Sequence, residues 1–324
     1  MAIRPRFGNL GTVPKPIMRQ RLIQLVICSL FCWTATASNP SGDFIVEIAS
    51  GVYVHQGRHA SIESDEHDDI ANLGFIVGQR CVAVIDSGGS VAIGARLKEA
   101  VRSVTAVPVC YVINTHIHFD HLLGNYAFIS DQPSFIGHMN LPQAIVNNRE
   151  FFINSFGADL GDPPTPDKIP DLTQTVEDSL ELDLGGRRIT LTAHGLAHTN
   201  NDLSVFDQKT ATLFAGDLLF MERIPSLDGS IKGWLQRLDE LSAIAAQRVV
   251  PGHGPASAPW PQASTDIKRY LQLLLDQVRE AIADGQFMEQ AMDTVGTSER
   301  DKWLLYDEVH RRNVLRAYKE LEWE

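Results

Sequence analysis

The run Thr115-His-Ile-His-Phe-Asp-His121 constrains this 324-residue chain more than any other stretch. It places three histidines and an aspartate within six residues, in the pattern His-x-His-x-Asp-His. A routine core does not gather so many polar groups, because each needs a partner once it leaves water. The run follows Val109–Ile113, an apolar, β-branched stretch that reads as a buried strand. Side chains alternate across a strand, so His116 and His118 point the same way, and Asp120 and His121 follow where the chain turns. The four groups can therefore divide between two adjacent metal positions. Imidazole and carboxylate ligands suit zinc best, with iron, manganese and nickel as further occupants.

Partners for this cluster occur later, in order. His198 lies in Gly195-Leu-Ala-His-Thr-Asn200, Asp217 closes the strand-like Leu213-Phe-Ala-Gly-Asp217, and His253 lies in Val250-Pro-Gly-His-Gly254. Each is a ligand-type residue at a strand end beside a glycine, where the backbone can approach an ion closely. Two adjacent divalent cations also need anionic ligands, and Asp120 and Asp217 supply them.

The chain around these residues reads as two β-rich halves. In the first, short strands flank Ser50-Gly51, residues 58–69 form a polar loop, and residues 70–86 form a hairpin ending at Asp86. A helical pattern over 92–104 leads into the strand before the histidine run. In the second, hairpins cover 180–193 and 202–217, and residues 72–86 and 202–217 share one layout: apolar strand, charged turn, apolar strand, terminal aspartate. Hairpins separated by helices fit two sheets packed face to face with helices outside. Residues 147–177, with Pro163, Pro164, Pro166 and Pro170, read as an irregular insertion of the lid or binding-loop kind. From Pro261 the apolar spacing is helical over 267–283 and again over 301–321. The expected domains are thus 44–260, carrying the site, and a C-terminal helical extension, 261–324.

The net charge of −12 argues against a nucleic-acid or anionic-membrane surface. Residues 1–37 contain basic residues and no acidic one. Met18-Arg-Gln-Arg21, the apolar Leu22 to Trp33 and Ala35-Thr-Ala37 have the three-part form of a secretory signal peptide, with Met18 as an alternative start. The apolar stretch is too short to span a bilayer. The expectation is an exported protein, periplasmic or secreted, with no stable membrane span after cleavage. Two cysteines remain in the mature chain, Cys81 and Cys110, each near the start of a strand-like run. Neighbouring strands would let the sulfurs meet, but bonding depends on Cβ direction, so a disulfide and free buried thiols both stay open.

Taken together, THIHFDH, HTNND, AGD, PGHG and the earlier VIDSGG resemble the metallo-β-lactamase superfamily over about residues 44–260. The resemblance implies a four-layer αβ/βα sandwich. It implies that His116, His118 and His198 hold one zinc, that Asp120, His121 and His253 hold a second, and that Asp217 bridges both. Asp86 would steady the ligand loop from behind. A bridging hydroxide would attack an acyl carbon or phosphorus, with Asp120 as its proton acceptor. The best-known class B β-lactamases carry cysteine where Asp217 stands, and another branch carries serine. Aspartate is the pattern of thioesterases, lactonases and alkylsulfatases, so the expected substrate is a small molecule with a thioester, lactone or sulfate ester bond. Arg223 and His138 are candidates for touching it, and His55, His59 and His67 flank the same hairpin. GVYVHQGRHA, DIANLGFIVG, GDLLFMERIPSLDGSIKGW and RRNVLRAYKELEWE resemble, more narrowly, the zinc metallohydrolases of the quinoprotein relay system. That implies a periplasmic quinoprotein dehydrogenase context and no particular substrate. The rival readings are a β-lactamase-like amidase and an iron-dependent dioxygenase or non-hydrolytic quinoprotein accessory factor.

Overall fold

Thirteen strands in two sheets frame the described part of the protein; the computed structural model describes residues 44–324, so the expected leader lies outside the described residues. The first sheet is formed by β1 (Val46–Ala49), β2 (Val52–His55), β3 (Leu73–Val77), β4 (Val82–Ile85), β5 (Val109–Ile113), β6 (Ser134–His138) and β7 (Gln174–Val176), in sequence order. The second contains β8 (Ser179–Asp183), β9 (Arg188–Ala193), β10 (Leu203–Asp207), β11 (Thr212–Phe220), β12 (Arg248–His253) and β13 (Ala258–Pro259). The helices are α1 (Val91–Val104), α2 (Phe119–Leu122), α3 (Leu141–Ser155), α4 (Gly157–Leu160) and α5 (Ile231–Ser242). They are followed by α6 (Thr265–Ala283), α7 (Met288–Thr294) and α8 (Tyr306–Leu321).

One apolar core lies between the sheets, where Val54, Ile76 and Ile113 of the first meet Leu191, Val205 and Phe214 of the second. The outer face of the first sheet is covered by α1, whose Ile93, Leu97, Ala100 and Val101 fall on one helical face. Ser90 caps that helix by accepting the Ile93 N–H at 3.0 Å. The outer face of the second sheet is covered by α5, α6 and α8 through Trp234, Tyr270, Leu274 and Val314. This is the face-to-face sandwich with helices outside that the sequence predicts. The helices after residue 260 share a core with β11 and α5.

Two departures from expectation have simple causes. Residues 147–155 are helical, because the buried stripe Leu141, Ile145 and Phe152 begins six residues before the expected loop and Pro142 sits in the first turn of α3. Strand β11 runs past Asp217 to Phe220, with Gly216 at φ +52° where its register against β12 shifts. Cys81 and Cys110 form a disulfide, which decides between the two readings the sequence left open. It joins the residue before β4 to β5, and these two strands pair in parallel.

Parallel pairing positions the site. β4–β5 and β11–β12 are parallel neighbours in their sheets, and the residues that carry chemistry follow or end them at the carboxyl side: Asp86, the run from Thr115, and His253. The two halves are clamped at two points. Asn72, at the start of β3, donates to Pro251 O at 2.9 Å, and its backbone N–H donates to Gly252 O at 2.7 Å. Arg187, before β9, donates Nε and Nη2 to the Asp207 carboxylate at 2.9 and 2.7 Å. Its Nη1 donates to Ser50 O, Gly51 O and Val77 O of the other sheet, at 3.0 to 3.2 Å.

Both partners of that buried pair are needed. Burial alone would raise the Asp207 pKa, but hydrogen bonds from Arg187 and Thr210 outweigh it and lower the value. Arg187→Met should therefore cost about 3–5 kcal/mol at neutral pH by leaving Asp207 buried without its cation. Because the folded-state pKa is depressed, this contribution is present above the unfolded carboxylate value and is lost as pH falls through the folded value. Urea unfolding at pH 7 and near pH 3 should show a large difference between wild type and variant in the first and a smaller one in the second.

Candidate metal centre

The histidine run leaves β5 at Asn114 and passes through a turn into α2. Its geometry is set from behind by Asp86, which follows β4 at a φ of +56°, unusual for a residue with a side chain. The Asp86 carboxylate accepts the Thr115 N–H at 2.8 Å, the Thr115 hydroxyl at 2.8 Å and His121 Nδ1–H at 2.8 Å. Three hydrogen bonds to one carboxylate fix both ends of the segment that carries His116, His118 and Asp120.

Every one of the five clustered histidines has its outward ring nitrogen occupied. His116 Nδ1 lies 2.9 Å from Thr115 Oγ1, whose own proton goes to Asp86. His118 Nε2 lies 3.1 Å from Asp228 Oδ2. His198 Nδ1 donates to Ser226 O at 2.7 Å, His121 Nδ1 to Asp86, and His253 Nδ1 to Ile70 O at 2.8 Å. These outer partners are acceptors, so each ring holds its proton on the outside and turns a lone pair inward.

The inward atoms converge. His118 Nδ1 lies 3.0 Å from both His116 Nε2 and His198 Nε2. Asp217 Oδ2 is 3.3 Å from His198 Nε2 and 3.6 Å from His116 Nε2. On the other side His253 Nε2 is 3.4 Å from both Asp120 Oδ2 and Asp217 Oδ2, and His121 Nε2 is 3.1 Å from Asp217 Oδ1. His121 Nε2 and Asp217 Oδ1 are buried and have no hydrogen-bond partner among the described residues. The donor atoms of His116, His118, His198 and Asp217 lie within 4.8 Å of one another, as do those of Asp120, His121 and His253. Lone pairs held this close repel unless a cation lies among them. The donor set of neutral imidazoles and carboxylates fits a divalent metal in each group.

In the metal-free cluster the histidines shift in opposite directions. Burial holds His116 well below its ordinary pKa and lowers His198 to about 4. Burial also acts on His118 and His121, but carboxylates win there: Asp228 chiefly for His118, and Asp217, Asp120 and Asp86 for His121, so both pKa values are raised. Asp217, despite burial, is held well below the carboxylate range by His253, His121 and His116.

All seven ligand-type residues expected from the sequence come together, and Asp86 stands behind them as expected. His138 does not contribute. Its Nδ1 accepts the Asn140 N–H at 3.0 Å and its Nε2 donates to His194 O at 3.2 Å, which leaves no ring atom for a substrate. His55, His59 and His67 are engaged with Asp69, Glu222 and Asp159. Arg223 is 7% exposed, and its Nη1 has no hydrogen-bond partner among the described residues. Burial lowers its pKa, opposed by the charges of Asp120, Asp217 and Glu308. The sequence reading missed Asp228 and Ser226, which lie in a stretch legible only as a loop; no local signal marks either one. It also missed Asp202, whose buried carboxylate, with a pKa pushed up to about 7, accepts the Thr199 N–H and hydroxyl beside His198. Glycines clear the space around Asp217: a Cβ on Gly252 would lie 2.0 Å from Asp217 Oδ1, and one on Gly216 2.7 Å from Thr115 Cβ.

Comparison with known proteins agrees with this geometry. A family model of the metallo-beta-lactamase superfamily matches residues 68–253. A linear primary-alkylsulfatase from Pseudomonas sp. (strain ATCC 19151) is 22% identical over 239 residues, covering 62% of this chain and 43% of the sulfatase. The chain therefore spans less than half the length of that curated relative. Among solved structures, a metallo-beta-lactamase from Pontibacter korlensis superposes with a TM-score of 0.57 at 19% identity, over 70% of this chain and 98% of that one. The DIM-1 metallo-beta-lactamase exposed to ceftazidime gives 0.56 at 17% identity, over 70% and 95%. These likenesses show the fold.

Metal and proton compete for the same lone pairs, so adding zinc to the metal-free protein at pH 7 should release protons, and affinity should fall as the solution is acidified. Calorimetry in buffers of different ionisation enthalpy measures the release; a heat independent of buffer would contradict the assignment. Asp217→Ala removes the atoms shared by both groups and should leave fewer than two metals per chain by native mass spectrometry.

Proposed function

The chain belongs to the metallo-beta-lactamase superfamily, a family of metal-dependent hydrolases, and on that footing we propose that it is a dinuclear zinc hydrolase of small molecules. The observation that carries this reading is the set of five inward lone pairs with two carboxylates between them. His116, His118 and His198 would hold one ion, Asp120, His121 and His253 the other, and Asp217 both. When bound, such ions supply Lewis acidity and a water ionisable near neutral pH. Asp120 Oδ2 faces His121 and His253, which leaves Oδ1 to take the proton of the attacking water. Asp86 and Asp228 keep the His121 and His118 rings from rotating as charge moves at the site.

The substrate is an ester-like bond next to an anionic group, with sulfate esters first, then thioesters and lactones. Arg223 supports this, because a buried guanidinium with an unpaired nitrogen gains most from an anion. The similarity to an alkylsulfatase supports it too. Lactam amides are the second substrate class, supported by the fold likeness alone. Export to the periplasm rests on the leader pattern, and association with a quinoprotein dehydrogenase on the stretches quoted from the sequence. No described helix is long and apolar enough to cross a membrane.

A panel of alkyl sulfate, thioester, lactone and chromogenic cephalosporin substrates, run with metal analysis, tests the reading. Turnover of at least one ester-like substrate by the two-zinc protein is expected, and none by His116→Ala; unchanged turnover in that variant would sink the proposal. Arg223→Met should raise KM for anionic substrates about 10- to 100-fold, as loss of a hydrogen bond to a charged group does, and leave a neutral lactone unaffected.

A further inference from the structure

Residues 221–230, between β11 and α5, supply two of the outer acceptors of the cluster: Ser226 O behind His198 and Asp228 behind His118. An acceptor orients a ligand only as firmly as it is itself held. Four side chains that hold this loop come from the C-terminal end of the chain, beyond the residues the family model matches.

Asn313 of α8 is fully buried. Its Oδ1 accepts the Leu227 N–H at 2.9 Å, and its Nδ2 donates to Pro225 O at 2.6 Å. Both ends of one amide are thus spent on the two residues that flank Ser226. The amide is itself fixed by a contact of 3.0 Å from Nδ2 to the Tyr270 hydroxyl of α6, which in turn meets His310 Nδ1 at 2.9 Å. One turn on, Arg316 Nη2 lies 3.8 Å from Asp228 Oδ1, the oxygen opposite the one facing His118. Arg312 Nη2 donates to the Ser226 hydroxyl. Glu320 closes the loop by accepting the Ser230 hydroxyl at 2.6 Å and the Ile231 N–H at 2.7 Å. Positions 312, 313, 316 and 320 lie along one helical face, so a single rigid rod meets the loop over its length.

We propose that helix α8 is a positioning element of the metal centre, in which Asn313 sets the Ser226 carbonyl behind His198 and Arg312 and Arg316 hold the Ser226–Asp228 segment behind His198 and His118. This rests on reading His116, His118, His198 and Asp217 as a metal site. A helix that merely fills the core through Val314, Ala317 and Leu321 would affect stability and leave metal affinity alone.

Zinc and cobalt binding to the full-length chain separates the two roles. Wild type, Asn313→Ala, the double variant Arg312→Gln/Arg316→Gln, and Leu321→Ala as a packing control are equilibrated against a zinc-buffering chelator. Their zinc content, cobalt(II) absorption spectrum and Tm are then measured. Asn313→Ala should weaken one of two zinc ions about 10- to 100-fold, the usual effect of losing an outer partner, with a changed cobalt spectrum and the other ion retained. The arginine double variant should also change the spectrum, with little loss of Tm. Leu321→Ala should lower Tm and bind both ions as wild type does. The arginine variant, altered at exposed side chains, decides the matter if Asn313→Ala does not fold. Wild-type affinity and spectra in both loop variants, or an equal loss in Leu321→Ala, would overturn the proposal. A wild-type chain that binds no metal would overturn the metal centre itself, and the proposal with it, which is a distinct result.

Discussion

The structure depends on one constraint: each clustered histidine must present a lone pair to the centre, so its other nitrogen must have an acceptor outside. Thr115, Asp228, Ser226, Asp86 and Ile70 meet that demand, from four separate stretches of the chain. Asp86 carries the largest share, since it orients His121 directly and His116 through Thr115. Its left-handed backbone is the kind of conformation that persists only where surrounding contacts fix it. The inter-sheet clamps serve the same constraint. Asn72 ties the start of β3 to Pro251 and Gly252, so the residue after it in that clamp, His253, faces ligands carried by the other sheet.

Legibility in the sequence follows from how far each role reaches along the chain. The ligands were readable because metal chemistry demands particular residue types, and His116, His118, Asp120 and His121 are adjacent enough to announce it. The hairpins were readable from their periods, and so were α1, α6 and α8. The outer acceptors were a different case. A serine carbonyl has no signature, because every residue has one; Asp228 looks like any loop aspartate until His118 is found beside it. Asn313 acts on residues 86 and 88 positions away, a separation no local pattern encodes. The cysteine pairing needed the directions of two Cβ atoms, and His138 seemed free because the partners of its ring are a backbone amide and a carbonyl.

The two sheets differ in what covers them. The first is closed by α1, close in sequence to the strands it covers, while the second is closed largely by helices drawn from after residue 260. The loop with Ser226 and Asp228 lies where that second layer meets the site, so a late segment of the chain reaches a centre whose first ligand is His116. The centre therefore depends on contacts between residues far apart in the sequence.

The glycine at 252 has an evolutionary consequence. No side chain fits there because the space belongs to the neighbouring strand: an added Cβ would lie 2.0 Å from Asp217 Oδ1, 2.8 Å from the Gly216 carbonyl carbon and 2.9 Å from the Asp217 nitrogen. Residue 252 is thus constrained by both the side chain and the main chain of the strand beside it. A lineage that kept aspartate as the shared ligand would have to keep the glycine, although residue 252 itself bears no reactive group. A lineage that exchanged the aspartate for a shorter ligand would have to keep it too, because the main chain at 216 and 217 fills the same space.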